Sequence, residues 1–241
     1  MTSADISKTA EKKADLRDAE KIIGYIFKDK DLLASAFTHS SYSNEHRNSE
    51  NYERLEFVGD GFLDYSVAMR LYERFVGRDE GILSKYRAKL VSSETLSEII
   101  DECGLIGFLR IGKSAESVLQ SEKVKCDLFE AIVGAIIRDC AKDTAEAEKF
   151  VFAKLGKYME NVENLCVDYK SKIKEYCEKN NLPYAFETVS DYLLDDNTHI
   201  FVSDLIVNGR KASSGKGKSK RLSENAASRE YAVNVLGRRN P

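Results

Sequence analysis

The sequence lacks the features that would make it a membrane-spanning, secreted or zinc-held protein. No apolar run is long enough to suggest a membrane span. The opening segment mixes Lys8, Lys12 and Lys13 with Asp5, Glu11, Asp15, Asp18 and Glu20 around no apolar centre, unlike a secretory signal or an acid-poor transit peptide. A cytoplasmic protein is therefore expected. The five cysteines (Cys103, Cys126, Cys140, Cys166 and Cys177) are odd in number and contain no C-x-x-C pair, which argues against a disulfide framework and against a zinc cluster. Reduced, mostly buried thiols are the expectation. Of the three histidines, His39, His46 and His199, none stands three residues after a Glu, so the Glu-x-x-His motif of di-iron bundles is missing. The shortage of His and Cys ligands disfavours zinc as well. No repeat of solenoid length and no low-complexity block interrupts the chain.

What is present is the composition of a soluble globular protein: 241 residues, 32% charged and 42% hydrophobic, enough for one large domain or two ordinary ones. The net charge of -3 conceals an asymmetry. Between Arg210 and Arg239, nine basic residues face only Glu224 and Glu230, a local balance of +7 that leaves -10 for the remainder. An acidic body with a basic end fits a polyanion-binding module joined to something with a different task.

Residues 17 to 160 read as amphipathic helices, for example Leu71 to Phe75, Ile82 to Val91 and Leu96 to Cys103, with turns at Gly77, Gly81, Gly104 and Gly107. An all-α domain is expected there. After about Asn164 the pattern changes. An amphipathic stretch from Tyr169 to Lys179 ends at Asn180-Asn181 before Pro183. Strand-like runs follow at Ala185 to Asp191, His199 to Val207 and, shorter, near Arg210 to Gly215, with turns at Asp195-Asp196-Asn197 and Asn208-Gly209. A last helix runs from Lys220 to about Leu236, with Gly237 as its stop. The order is α-β-β-β-α, and the boundary falls between about residues 160 and 167.

The chemistry concentrates in the segment from Glu53 to Asp64. As a helix it places Glu53, Glu56, Asp60 and Asp64 within a stripe of roughly 80°, opposite Leu55, Val58 and Phe62. Gly59 and Gly61 weaken a helix, although a helical glycine also marks close packing by a neighbour. A second pair, Asp127 and Glu130, lies in a run that is apolar on almost every side. Two carboxylates about 4 Å apart repel by roughly 4 kcal/mol at an effective dielectric of about 20, so such a group needs neutralising. Protonation, Lys or Arg partners, or a hard divalent cation could supply this. Glu56, Asp60, Asp127 and Glu130 together would balance two divalent ions suited to phosphodiester cleavage. A solvated acidic face for the first group and a buried ion pair for the second are the plain alternatives.

These residues closely resemble the ribonuclease III family. The stretch Asn51 to Asp60 carries its E-R-L-E-F-x-G-D core. Thr38-His39-Ser40, Glu80-Gly81-x-Leu83-Ser84, Arg87-Ala88-x-Leu90-Val91 and Asp127-x-x-Glu130-Ala131 match further family motifs in the family's order. The resemblance implies a helical ribonuclease III domain for catalysis and dimerisation over residues 17–160, then an α-β-β-β-α double-stranded-RNA-binding domain over 167–237. It implies a Mg²⁺-dependent endonuclease, with Mn²⁺ as a substitute, that cuts double-stranded RNA as a homodimer and leaves short 3′ overhangs. Ribosomal and other structured precursor RNAs are the implied substrates, with no membrane and no small-molecule cofactor. Asp60 and Glu130 match the catalytic positions, and Glu56, Asp127 and Glu130 match metal ligands. Glu53 and Glu80 match acidic positions nearby. The sequence departs from the family at the short loop after Ile111 to Glu116, which lacks a glycine pair, and at Lys125, where an apolar residue is common.

For RNA, the resemblance implies contacts from Lys174 and Glu175 to one minor groove and from His199 to the next. Lys218, Lys220 and Arg221, in a glycine- and lysine-rich loop from Gly215 to Arg221, would meet the phosphates between. Lys174 replaces a Gln common in the family. Two rival readings are a duplex-RNA-binding protein with a silent helical domain and a dimeric scaffold for other RNA proteins.

Overall fold

The computed structural model describes residues 16–47, 49–141, 143–194 and 199–236, and divides into two compact units between Cys166 and Val167. Among the described residues the first unit is helical: α1 (Leu16–Ile23), α2 (Lys30–Ala36), α3 (Ser40–Glu45), α4 (Glu53–Arg74), α5 (Glu80–Leu90), α6 (Ser93–Cys103), α7 (Glu122–Asp139), α8 (Ala145–Glu160) and α9 (Val162–Leu165). The run that is apolar on nearly all sides becomes the central helix α7, in which every residue from Val124 to Ile137 is buried. Helices α4, α6, α2 and α8 pack around it. Side-chain caps begin several of these helices: Asp29 for α2, Asp79 for α5, Ser92 for α6 and Ser121 for α7 each accept a backbone N–H. Gly104 ends α6 in the left-handed conformation at φ +68°, where a side chain would be strained. The turn expected at Gly77 is present at φ +85°, but Gly81 lies inside the first turn of α5, because Asp79 starts that helix earlier. Gly107 lies in a 3₁₀ turn, Leu105–Phe108. No helix among the described residues is long and apolar enough to cross a membrane.

The contact that matters most for function is that of α4 with α7. A Cβ on Gly59 would lie 1.8 Å from the carbonyl oxygen of Glu130, and one on Gly134 would lie 2.0 Å from that of Leu55. The two helices therefore touch backbone to backbone through a reciprocal pair of glycines. The expected weak point of α4 is the reason its acidic face comes so close to α7.

The second unit is α10 (Tyr169–Lys179), an antiparallel sheet of β1 (Tyr184–Leu193), β2 (His199–Val207) and β3 (Arg210–Gly217) in that order, and α11 (Lys220–Tyr231). Asn208 and Gly209 both take positive φ, +53° and +69°, the conformation of a tight two-residue hairpin. Ile173 and Cys177 from α10, Leu205 from β2, and Ala227 and Tyr231 from α11 form its core. Strand β3 is longer than expected and runs to Gly217, so the loop expected over Gly215 to Arg221 shrinks to the bend at Lys218 and Ser219. The cause is packing: a Cβ on Gly215 would lie 2.1 Å from the Ala227 amide nitrogen, and these bare positions let α11 lie directly on the strand. The α-helical part of the last element stops at Tyr231 and a π-helical turn, Ala232–Leu236, follows. The expected turn at Asp195-Asp196-Asn197 and the expected stop at Gly237 lie outside the described residues.

Candidate functional site

Helix α4 carries Glu56 and Asp60 one turn apart, and α7 carries Asp127 and Glu130 one turn apart, so the glycine contact brings all four carboxylates to one place. Asp60 is exposed and Glu56 half-buried, whereas Asp127 is 7% and Glu130 9% exposed. Their mutual influence appears in their protonation. Burial, then the charge of Asp60 across the helix boundary, pushes Glu130 up to about 7, and Asp127 and Glu56 add to the effect. Burial and the Asp127 charge likewise raise Glu56, with Lys123 opposing them. Glu53 adds to that repulsion from the edge of the site. Glu80 stands apart on α5, where it accepts a hydrogen bond from the Ser84 hydroxyl at 2.7 Å.

Two further residues enter the site that sequence reasoning did not place there. Lys123, one turn before Asp127, donates from its ammonium to both Asp127 carboxylate oxygens at 2.8 and 2.9 Å and lies 3.9 Å from Glu56. Cys126, one turn before Glu130, has its sulfur 3.5 Å from Glu130 Oε1 and is buried. Burial, followed by the Glu130 charge, pushes this thiol up to about 12. The i, i+4 spacing of Lys123 to Asp127 and of Cys126 to Glu130 was the available signal. Of the cysteines, only Cys126 and Cys177 are buried; Cys103, Cys140 and Cys166 are half-buried, fewer than the mostly buried set expected. Lys125, the unusual residue just before, is buried too and pairs with Asp101 of α6 at 2.7 Å, which explains how α7 accommodates it.

The donor set fits a hard divalent cation. Glu130 is nine-tenths buried, and among the described residues no Lys or Arg forms an ion pair with it or with Asp60. Carboxylate oxygens from two helices, partly open to water on the Asp60 side, match the oxygen-rich coordination such ions need. Cys126, Asp127 and Glu130 can each offer a ligand atom, all within 4.8 Å of one another.

In the second unit, Lys220 and Arg221 occupy the first turn of α11 and Lys218 lies on the bend before it. They surround a helix N-terminus, where amide dipoles already favour an anion. Lys174 and Glu175 are exposed on α10, with Lys174 Nζ 3.9 Å from Glu178. Helix α10 is tied to α11 by Lys170, whose ammonium pairs with Glu224 and whose amide donates to Asn225. His199 opens β2, its Nε2 3.2 Å from Asp191 and its ring 4.4 Å from that of Phe201.

Residues 29–159 match the model of a Ribonuclease-III-like family, and residues 169–231 match the double-stranded RNA binding motif. The chain is 36% identical to "Ribonuclease 3" of Streptococcus thermophilus over 90% of its own length and 96% of that protein. It is 33% identical to "Ribonuclease 3" of Streptococcus pneumoniae, covering 84% and 89%. The solved nuclease domain of ribonuclease III from Campylobacter jejuni, reported for flexibility in its region involved in dimer formation, is 33% identical with a TM-score of 0.54. That likeness covers 59% of this chain and 97% of the domain.

Proposed function

The chain belongs to the ribonuclease III family and is a double-stranded-RNA endoribonuclease, and from that premise we propose how its residues divide the work. Glu56, Asp127 and Glu130 hold the divalent cation, and Asp60 with Glu130 act at the reacting phosphodiester. Magnesium is the ion proposed, with manganese as its substitute. When bound, it supplies an activated water and stabilises the leaving oxygen. Asp60 is open to solvent and would orient an attacking water, while the burial that disfavours charge on Glu130 would be offset by a cation beside it. Lys123 neutralises Asp127 and Glu56 when no metal does.

The observation that carries this reading is the backbone contact at Gly59 and Gly134, which brings two pairs of carboxylates together although each pair costs energy where it stands. The α11 N-terminus with Lys218, Lys220 and Arg221 binds phosphates in this proposal, and Lys174, Glu175 and His199 address the minor grooves. We also propose a homodimer. Along α4, Phe57, Tyr65 and Tyr72 are 81%, 62% and 71% exposed, and their spacing puts them on one side of the helix, an apolar stripe of the sort a second copy would cover. A dimer with two sites would cut both strands and leave short 3′ overhangs, and ribosomal and other structured precursor RNAs are the proposed substrates.

The test is incubation of the purified protein with duplex RNA, single-stranded RNA, RNA–DNA hybrid and duplex DNA, with and without Mg²⁺. Cleavage of duplex RNA alone, and only with the metal, is the expected outcome, because duplex DNA lacks the 2′-hydroxyls and A-form grooves. Equal cutting of RNA and DNA duplexes would overturn it.

A further inference from the structure

Helix α7 carries one donor that the reaction does not use, the Cys126 thiol, beside two carboxylates that it does. Cys126 and Glu130 lie on one face, one turn apart, with sulfur and Oε1 at 3.5 Å, and an Asp127 oxygen lies within 4.8 Å of both. A thiophilic divalent ion binds sulfur at about 2.3 Å and carboxylate oxygen at about 2.0 Å in tetrahedral geometry, which places the two donor atoms about 3.5 Å apart. The observed separation already equals that tetrahedral edge, so Cys126 and Glu130 need no rearrangement to become ligands. Asp127 must approach by roughly an ångström, and the ammonium that holds it, that of Lys123, sits on a largely exposed side chain that can swing aside. Magnesium gains nothing from this arrangement, because a small hard cation takes oxygen ligands and retains water.

We propose that Cys126, with Glu130 and Asp127, forms a site for a thiophilic divalent cation such as zinc or cadmium, and that this ion inhibits the enzyme by taking two carboxylates from the magnesium site. It rests on the reading of the α4 and α7 carboxylates as a cation site. All three donors come from α7, so the ion sits on the α7 side of the cluster and engages Glu130 and Asp127 without a ligand from α4. Coordination deprotonates the thiol and the proton passes to solvent. The soft sulfur ligand favours zinc over the hard magnesium ion here, so a small amount of zinc would outcompete a large excess of magnesium.

The test titrates Cd²⁺ into the full chain, kept reduced, and follows the ultraviolet thiolate-to-cadmium charge-transfer band. One equivalent should give the band in the unaltered protein, Cys126→Ser should abolish that first-equivalent band, and Glu130→Gln should weaken its affinity. In parallel, the Zn²⁺ concentration that halves cleavage in Mg²⁺ should rise about 100-fold or more in Cys126→Ser, since a direct ligand is worth at least as much as an outer-shell one. Cys126→Ala, whose folding is checked by thermal melting, guards against a serine that binds by itself. A first-equivalent band that persists in both Cys126 variants, or zinc inhibition equal in all of them, overturns the proposal. Mn²⁺ binding followed by electron paramagnetic resonance separates the two ideas. If Asp127→Asn and Glu130→Gln bind Mn²⁺ as the unaltered chain does, the carboxylate reading fails and the proposal with it. If they lose Mn²⁺ while the cadmium band ignores Cys126, only the proposal fails.

Discussion

Glu130 combines burial, an apolar helix around it and two carboxylates across the helix boundary, and its protonation is where these meet. Its pKa is raised to about 7 from an ordinary 4.5, so the folded chain holds a proton on it that the unfolded chain has released across that interval. Stability then falls as pH rises, because the native state binds more protons than the unfolded one. The contribution is whole below about pH 4.5 and lost above about pH 7, and amounts to no more than about 3 kcal/mol. Without metal, the melting temperature should therefore drop between about pH 5 and pH 8 more in the unaltered chain than in Glu130→Gln. Parallel melting curves for the two across that range would contradict the assignment. Metal needs the carboxylate, so Mn²⁺ affinity should weaken as pH falls below about 7. The same substitution should reduce cleavage by more than about 100-fold while duplex affinity measured in Ca²⁺ survives, because it removes a charge at the site and leaves the RNA-binding unit untouched. Near-normal cleavage by Glu130→Gln would remove that residue from the active site.

Helices α4 and α7 meet through glycine, and the sign of a glycine substitution there depends on the neighbour rather than on helix propensity. Alanine is favoured over glycine by up to about 1 kcal/mol inside a helix. At Gly59 the added carbon would meet a backbone carbonyl at 1.8 Å, which no side-chain rotation can relieve. Gly59→Ala and Gly134→Ala should each cost about 3 kcal/mol or more, and should lower metal affinity by separating the carboxylate pairs. Gly156→Ala in α8, where nothing lies within 4 Å of the added carbon, should instead stabilise by up to about 1 kcal/mol. Chemical denaturation of the three variants gives the comparison; equal effects at Gly59 and Gly156 would refute the helix contact.

At the scale of the whole molecule, the chain forms two units with separate cores, and the basic end from Arg210 onward is the last part of the second. Removing residues 167–241 should leave a folded helical unit with weakened duplex binding, seen by circular dichroism and by a binding assay. Replacing Lys218, Lys220 and Arg221 by Ala in the full chain should reduce the slope of log affinity against log salt by about 2 to 3, because every phosphate left unneutralised keeps its condensed counterions. An unchanged slope would deny these residues a phosphate-binding role.

The sequence alone determined what depends on neighbours along the chain. The helical first part follows from 3.6-residue periodicity, the hairpin from Asn208-Gly209, and the acidic pairs from one-turn spacing on α4 and α7. The motifs in order carried the family. What it left open lies between segments distant in the chain. That Gly59 seats the carbonyl of Glu130, that Lys125 finds Asp101, and that Gly215 lets β3 continue beneath α11 were all decided by packing. Lys123 and Cys126 were visible as residues one turn before Asp127 and Glu130, but only the crossing of α4 on α7 showed which sides of α7 face the carboxylates. Periodicity records where a side chain points around its own axis. Which element it meets there is set by close packing and by the exclusion of water, and these act on the folded chain.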